Sequence, residues 1–181
     1  MKVISDLRAY ITNPDPLTGA TCLVAAIIGI NGPVYPLYLS FMIGPAAAPA
    51  LITVLSSPLF LAIPLLARFY PRTARASLPL LGTLNTIWCI KLLGIPSGVE
   101  LFLLPCISLA ALSFTARERW LSFPLLALPI GFYLMQPFIS GLATPLLHFS
   151  PAQLKALVTL NIASVGTLTA FLSLTYARLR G

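Results

Sequence analysis

Residues 153–177 read QLKALVTLNIASVGTLTAFLSLTYA, and this stretch decides the fold. It carries a single charge, Lys155. The hydrocarbon core of a bilayer is roughly 30 Å thick, and a helix rising about 1.5 Å per residue needs about 20 apolar residues to cross it. Along the stretch, Ala156, Thr159, Ala163, Gly166, Ala170, Ser173 and Ala177 recur at spacings of three and four. Lipid tails are as apolar as leucine, so helices in a membrane associate where small side chains let their backbones approach. A sustained 3.5-residue period implies a left-handed crossing near 20°. The seam either packs within the subunit, against a similar one formed by Thr18, Cys22, Ala25, Gly29 and Gly32, or lines a homodimer.

Working outward, five more apolar runs precede this one, at residues 18–43, 50–69, 77–95, 99–115 and 120–140. Proline and glycine punctuate the connections, except for the charged turn Arg117-Glu118-Arg119. The composition agrees: of 181 residues, 58% are hydrophobic and only 8% charged, with a mean hydropathy of +0.95. That leaves too little polar surface for a water-soluble globule and excludes a disordered tail. The sequence therefore predicts an all-α polytopic membrane protein with six transmembrane helices. Residues 1–17 form a cytoplasmic or interfacial lead-in, 18–177 the membrane domain and 178–181 a short cytoplasmic tail.

The net charge of +7 rests on 11 basic residues, and their placement orients the chain. Six crossings put both termini on one side, together with Lys2, Arg8, Arg68, Arg72, Arg75, Arg117, Arg119, Arg178 and Arg180. Only Lys91 and Lys155 fall on the other side. This positive-inside asymmetry predicts cytoplasmic termini and a multi-pass protein of the cell inner membrane, and it reads the charge as topology rather than a nucleic-acid surface. The basic start is not a signal peptide, because the apolar run begins only after Asn13-Pro14-Asp15-Pro16 and is too long for an h-region. The pattern Val3-Ile4, Leu7, Tyr10-Ile11 either lies in the interface plane or is disordered.

Four acids and one histidine exclude most membrane enzymes. There is no Walker loop, zinc motif, clustered carboxylate pair or nucleophile elbow, so neither catalysis, cofactor nor metal is expected. Cys22, Cys89 and Cys106 all fall within apolar runs without a C-x-x-C pair, and read as packing residues. Nine prolines lie inside the runs, where kinks can open cavities.

The strongly polar side chains gather toward the outer half. Asn31 and Tyr35 share a helix face, with Tyr38 following; Asn85, Lys91, Glu100, Gln136, His148 and Asn161 complete the set. Lys91 and Glu100 either form an interfacial ion pair across the turn at Pro96 or belong, with the others, to an outward-open pocket for a small ligand.

The stretch Asn85-Thr-Ile-Trp-Cys-Ile-Lys91-Leu-Leu-Gly-Ile-Pro-Ser-Gly-Val-Glu100-Leu-Phe, the turn Arg117-Glu118-Arg119-Trp120 and the lead-in from Asn13 to Gly19 together resemble the six-helix N-terminal membrane modules of bacterial histidine kinases and nucleotide cyclases. The resemblance implies a sensor-like module that binds a small ligand from the outer side. In such receptors the sixth helix runs into a cytoplasmic effector, whereas here it is followed by Arg178-Leu-Arg-Gly181, so a cytoplasmic or membrane partner protein is expected to carry the output. The competing expectations are a small-solute transporter or channel subunit and a ligand-free membrane scaffold.

Overall fold

The computed structural model describes residues 2–139, 141 and 144–179, all helical or connecting, with no strand among them. Eight α-helices follow one another: α1 (Lys2–Ile11), α2 (Pro16–Asn31), α3 (Val34–Ile43), α4 (Ser56–Phe69), α5 (Pro71–Leu93), α6 (Leu103–Leu112), α7 (Arg119–Met135) and α8 (Pro151–Ala177). Short 3-10 turns join several of them, and a longer 3-10 stretch, Gly44–Leu55, links α3 to α4. The end of the fifth apolar run at Ser140 and the tail residues Arg180 and Gly181 lie outside the described residues.

Four stretches are long and apolar enough to cross a membrane: Pro16–Phe69, Pro71–Leu93, Ala116–Phe138 and Pro151–Ala177; Val99–Leu112 is a shorter apolar helix. Much of the surface is aliphatic or aromatic, Phe41 being 91% and Phe138 78% exposed. So much exposed apolar surface suits lipid rather than water. This is an all-helical membrane protein.

The 54 residues of Pro16–Phe69 do not form one rod. Pro33 lacks the amide that would bond back to Gly29, and the helix breaks between α2 and α3. After Gly44, at φ 61°, the chain returns, and α4 packs antiparallel on α2. Small residues set that contact. A Cβ on Gly29 would lie 3.1 Å from the Ser57 carbonyl, and one on Gly32 would overlap the Ser57 hydroxyl. The seam expected in the first run is therefore internal: Thr18, Cys22, Ala25 and Gly29 are all buried.

The seam on α8 is not. Its buried face is Leu157, Asn161, Val165, Leu172 and Tyr176. Ala156, Thr159, Ala163, Gly166, Ala170, Ser173 and Ala177 are all exposed, and a Cβ on Gly166 would meet nothing within 4 Å. Packing of the two seams against each other within one subunit is thus corrected: the leucines and Tyr176 of α8 fill the space against α6 and α2, turning the small residues outward.

Two buried clusters divide the interior. One, around Val24, Phe60, Ile63, Leu78 and Leu172, lies toward the arginine-rich end; the other, around Leu39, Ile90, Leu92, Leu93 and Leu157, lies toward the Lys91 end. Cys22 belongs to the first cluster and Cys89 to the second, and Cys106 is likewise buried. The N-terminal segment is helical, anchored where the Tyr10 hydroxyl donates to the Leu61 carbonyl at 2.6 Å and Arg68 lies 5.6 Å from the Tyr10 ring centroid.

Candidate functional site

Polar side chains collect at both ends of the bundle. At the Lys91 end, α5 stops at Leu93 because Gly94 and Gly98 take φ of 79° and 74°, values that side-chain-bearing residues rarely adopt. Helix termination leaves carbonyls without partners. The loop before α8 supplies them: the Leu146 amide donates to the Lys91 carbonyl at 3.1 Å and the Leu147 amide to that of Leu92 at 2.9 Å. In return, Lys91 Nζ donates to the carbonyls of Gly141 and Thr144, both at 2.6 Å. A cation at a helix C-terminus also suits the helix dipole.

The Lys91–Glu100 ion pair does not form. Lys91 is engaged by the loop, while Glu100 lies beyond the two glycines in the turn Val99–Phe102, with Oε2 buried and unpartnered. The loop carbonyls hold the ammonium from fifty residues further along the chain.

Beneath the loop, Asn161 is fully buried. Its Nδ2 donates to the Ser97 carbonyl at 2.9 Å, and its Oδ1 accepts from the Tyr35 hydroxyl at 3.1 Å. One amide thus ties α8 to α3 and to the α5–α6 turn. Two of the sequence-selected residues meet here, and both are used in packing. The others do not join them. Asn31 donates to the Ile27 carbonyl of its own helix at 2.9 Å and is exposed, because the α2–α3 break separates it from Tyr35. Asn85 is half-buried without a hydrogen-bond partner among the described residues. Gln136 is buried, with Oε1 unpartnered, and His148 is exposed on the loop. The eight residues therefore do not line one outward-open pocket.

The recess at this end lies elsewhere. A groove of about 600 Å³ runs between Tyr38 of α3 and Ala152, Lys155, Ala156, Thr159, Leu160 and Ala163 of α8. Its floor is the half of the exposed small-residue seam nearer the N-terminus of α8. Tyr38 and Lys155 set a phenol and an ammonium beside it.

The opposite end carries a charge cluster that composition alone hid among the topology signals. Arg75 is only 5% exposed. Its terminal nitrogens donate to Glu118 at 2.8 and 3.0 Å and to the Ser113 carbonyl at 3.1 Å, and its Nε faces Asp15 at 3.8 Å. Arg72 Nε donates to the same Glu118 at 2.9 Å. Such forked contacts are the strong form of the ion pair. Burial alone would raise the Glu118 carboxyl, but hydrogen bonds from Arg75 and from the Thr115 amide and hydroxyl, with the Arg75 charge, outweigh it and hold the group at about 2. Alongside, the Tyr176 hydroxyl lies 3.3 Å from those of Thr21 and Ser113, joining α8 to α2 and α6. The signal that could have revealed part of this cluster was the capping box Thr115-Ala-Arg-Glu118.

Among the described residues, no three His, Cys, Asp or Glu side chains come together to hold a metal. No protein-family model matches the chain, and no curated protein or solved structure matches it either.

Proposed function

We propose that the chain is a non-enzymatic, sensor-like module of the cell inner membrane that pairs with a second copy along α8. It crosses the membrane six times with both termini cytoplasmic, takes a small apolar ligand from the outer side and acts through a partner protein. The observation that carries this reading is the face of α8: seven small positions in heptad register, all exposed, opposite a buried face of large residues. A close-approach surface of this kind suits a neighbouring helix better than lipid. The groove beside Tyr38 and Lys155, at the outer end of the same face, offers a place for a ligand that would act on the pairing.

Six crossings follow if the antiparallel Pro16–Phe69 stretch crosses twice and Val99–Leu112 with its preceding turn crosses once, beside the three remaining long apolar helices. The separation of the arginine cluster from Lys91 and Lys155 at opposite ends supports the inward orientation of the former.

Single cysteines at Gly166 and Ser173, in a chain whose three native cysteines are replaced by serine or alanine, test the pairing. In native membranes we expect disulfide dimers at both positions and none at Val165 or Leu172. Absence of dimers at Gly166 and Ser173 would overturn it. Solute flux in vesicles containing the purified chain would mark a transporter subunit instead.

A further inference from the structure

The arginine-rich end holds a cleft of about 520 Å³ whose wall includes the α4–α5 turn, the Thr115–Glu118 turn and Asp15. Both acids on its wall are engaged: Glu118 by Arg72 and Arg75, and Asp15 by Arg75 and the Thr18 amide. The arginines are not saturated. Arg75 Nε is buried and has no hydrogen-bond acceptor, Asp15 lying 3.8 Å away, beyond hydrogen-bond reach. The Arg72 side chain is 75% exposed and donates through Nε alone, leaving both terminal nitrogens free.

Next to them, α5 opens at Pro71 without a side-chain cap, and the amides of Arg72 and Thr73 find no acceptor among the described residues. Free amides and the positive end of the helix dipole favour an anion. Around the cleft, Arg68, Arg117 and Arg119 are exposed and form no ion pair among the described residues. Phe69 and Tyr70 are 71% and 64% exposed at the same level. An amphipathic tyrosine ring beside cations that lack acid partners marks the boundary between headgroups and acyl chains.

We propose that this cleft binds the phosphodiester headgroup of an anionic phospholipid, with Arg72 and the first amides of α5 as donors. Its acyl chains lie along the apolar surface of α4 near Leu65 and Phe69. The position of the cleft at the ends of apolar helices, with its aromatic rim, favours a lipid over a free phosphate. Assignment to the cytoplasmic leaflet rests on the orientation proposed above; the site itself does not.

The test uses the full chain in nanodiscs of phosphatidylcholine doped with phosphatidylglycerol, with retained lipid counted by native mass spectrometry. Both leaflets have the same composition, so the result is independent of orientation. Wild type is expected to keep phosphatidylglycerol selectively. Arg72→Gln should lower that retention roughly fivefold, as loss of one cation near an anionic headgroup implies. Because Arg72 also holds Glu118, Thr73→Glu provides a second variant. It spares the Arg75–Glu118 pair, places an acid where a helix N-terminus tolerates one, and should lower retention at least as far. Unchanged retention in a folded Thr73→Glu variant, equal retention of phosphatidylcholine, or displacement by millimolar inorganic phosphate would each overturn the proposal.

Discussion

At the scale of single residues, Asn161 does the most for the Lys91 end, because one buried amide holds Tyr35 and Ser97 together. Asn161→Leu should destabilise the protein by about 1–3 kcal/mol, since it leaves a buried hydroxyl and a carbonyl unpaired. Thermal unfolding in detergent checks this; a variant as stable as wild type would show that the pair is not a tie. Both Tyr35 and Asn161 were visible in the sequence as polar groups in apolar runs. Their partnership was not, because 126 residues separate them. Lys91 was visible too, but nearness along the chain pointed to Glu100, while the loop that actually holds it arrives from far downstream.

Glu118 gives a pH prediction. Its carboxyl is held at about 2 in the folded chain, below its ordinary value of 4.5. A depressed value means that folding favours the ionised form, so the contribution is present in full above 4.5 and fades as pH falls toward 2. Melting temperatures should drop across that window, and the drop should shrink in Glu118→Gln. A Glu118→Gln variant with the same pH slope as wild type would assign the effect to another group.

At the scale of elements, the presence of apolar helices was more legible than their starts: the runs beginning at 50 and 77 give helices that begin at Ser56 and Pro71, and local caps set other starts. Ser150-Pro-Ala-Gln153 forms a capping box at α8, and Asp15 caps α2 by accepting from the Thr18 amide. The break at Gly32–Pro33 and the 3-10 stretch Gly44–Leu55 were less legible, and the first run was read as one helix. Its proline and glycine signals were present, but tertiary packing decides whether such residues kink a helix or end it. The small-residue pattern shows the same limit. Spacing marked seams in α2 and α8 alike, yet only the surrounding large residues determine which faces inward. The α2 seam is the one that touches a neighbour within the chain. Gly32→Leu should therefore force α2 and α4 apart, at a cost of about 1–3 kcal/mol, whereas Gly166→Leu should barely alter the stability of the monomer. Comparing their unfolding in detergent separates the two seams; equal losses would contradict the assignment.

At the scale of the whole molecule, hydropathy and charge carried the class of protein, because lipid imposes helices and sparse charge on any chain that spans it. The separation of arginines from Lys91 and Lys155 was legible for the same reason. The charge cluster around Arg75 was not: an arginine that orients a membrane protein and one that is 5% exposed among acids look alike in sequence. Removing it should be costly. Arg75→Leu leaves Glu118 with only the exposed Arg72 as an ion-pair partner, and a loss of about 2–4 kcal/mol in unfolding experiments is expected.

The central claim is a six-crossing chain with its arginine cluster inside. Single cysteines at Ala46, Gly141, Thr73 and Arg117, in the cysteine-free background, test it with a membrane-impermeant maleimide. We predict that Ala46 and Gly141 label in intact cells, and that Thr73 and Arg117 label only after permeabilisation. Labelling of Thr73 or Arg117 in intact cells, or protection of Ala46 and Gly141, would contradict the account.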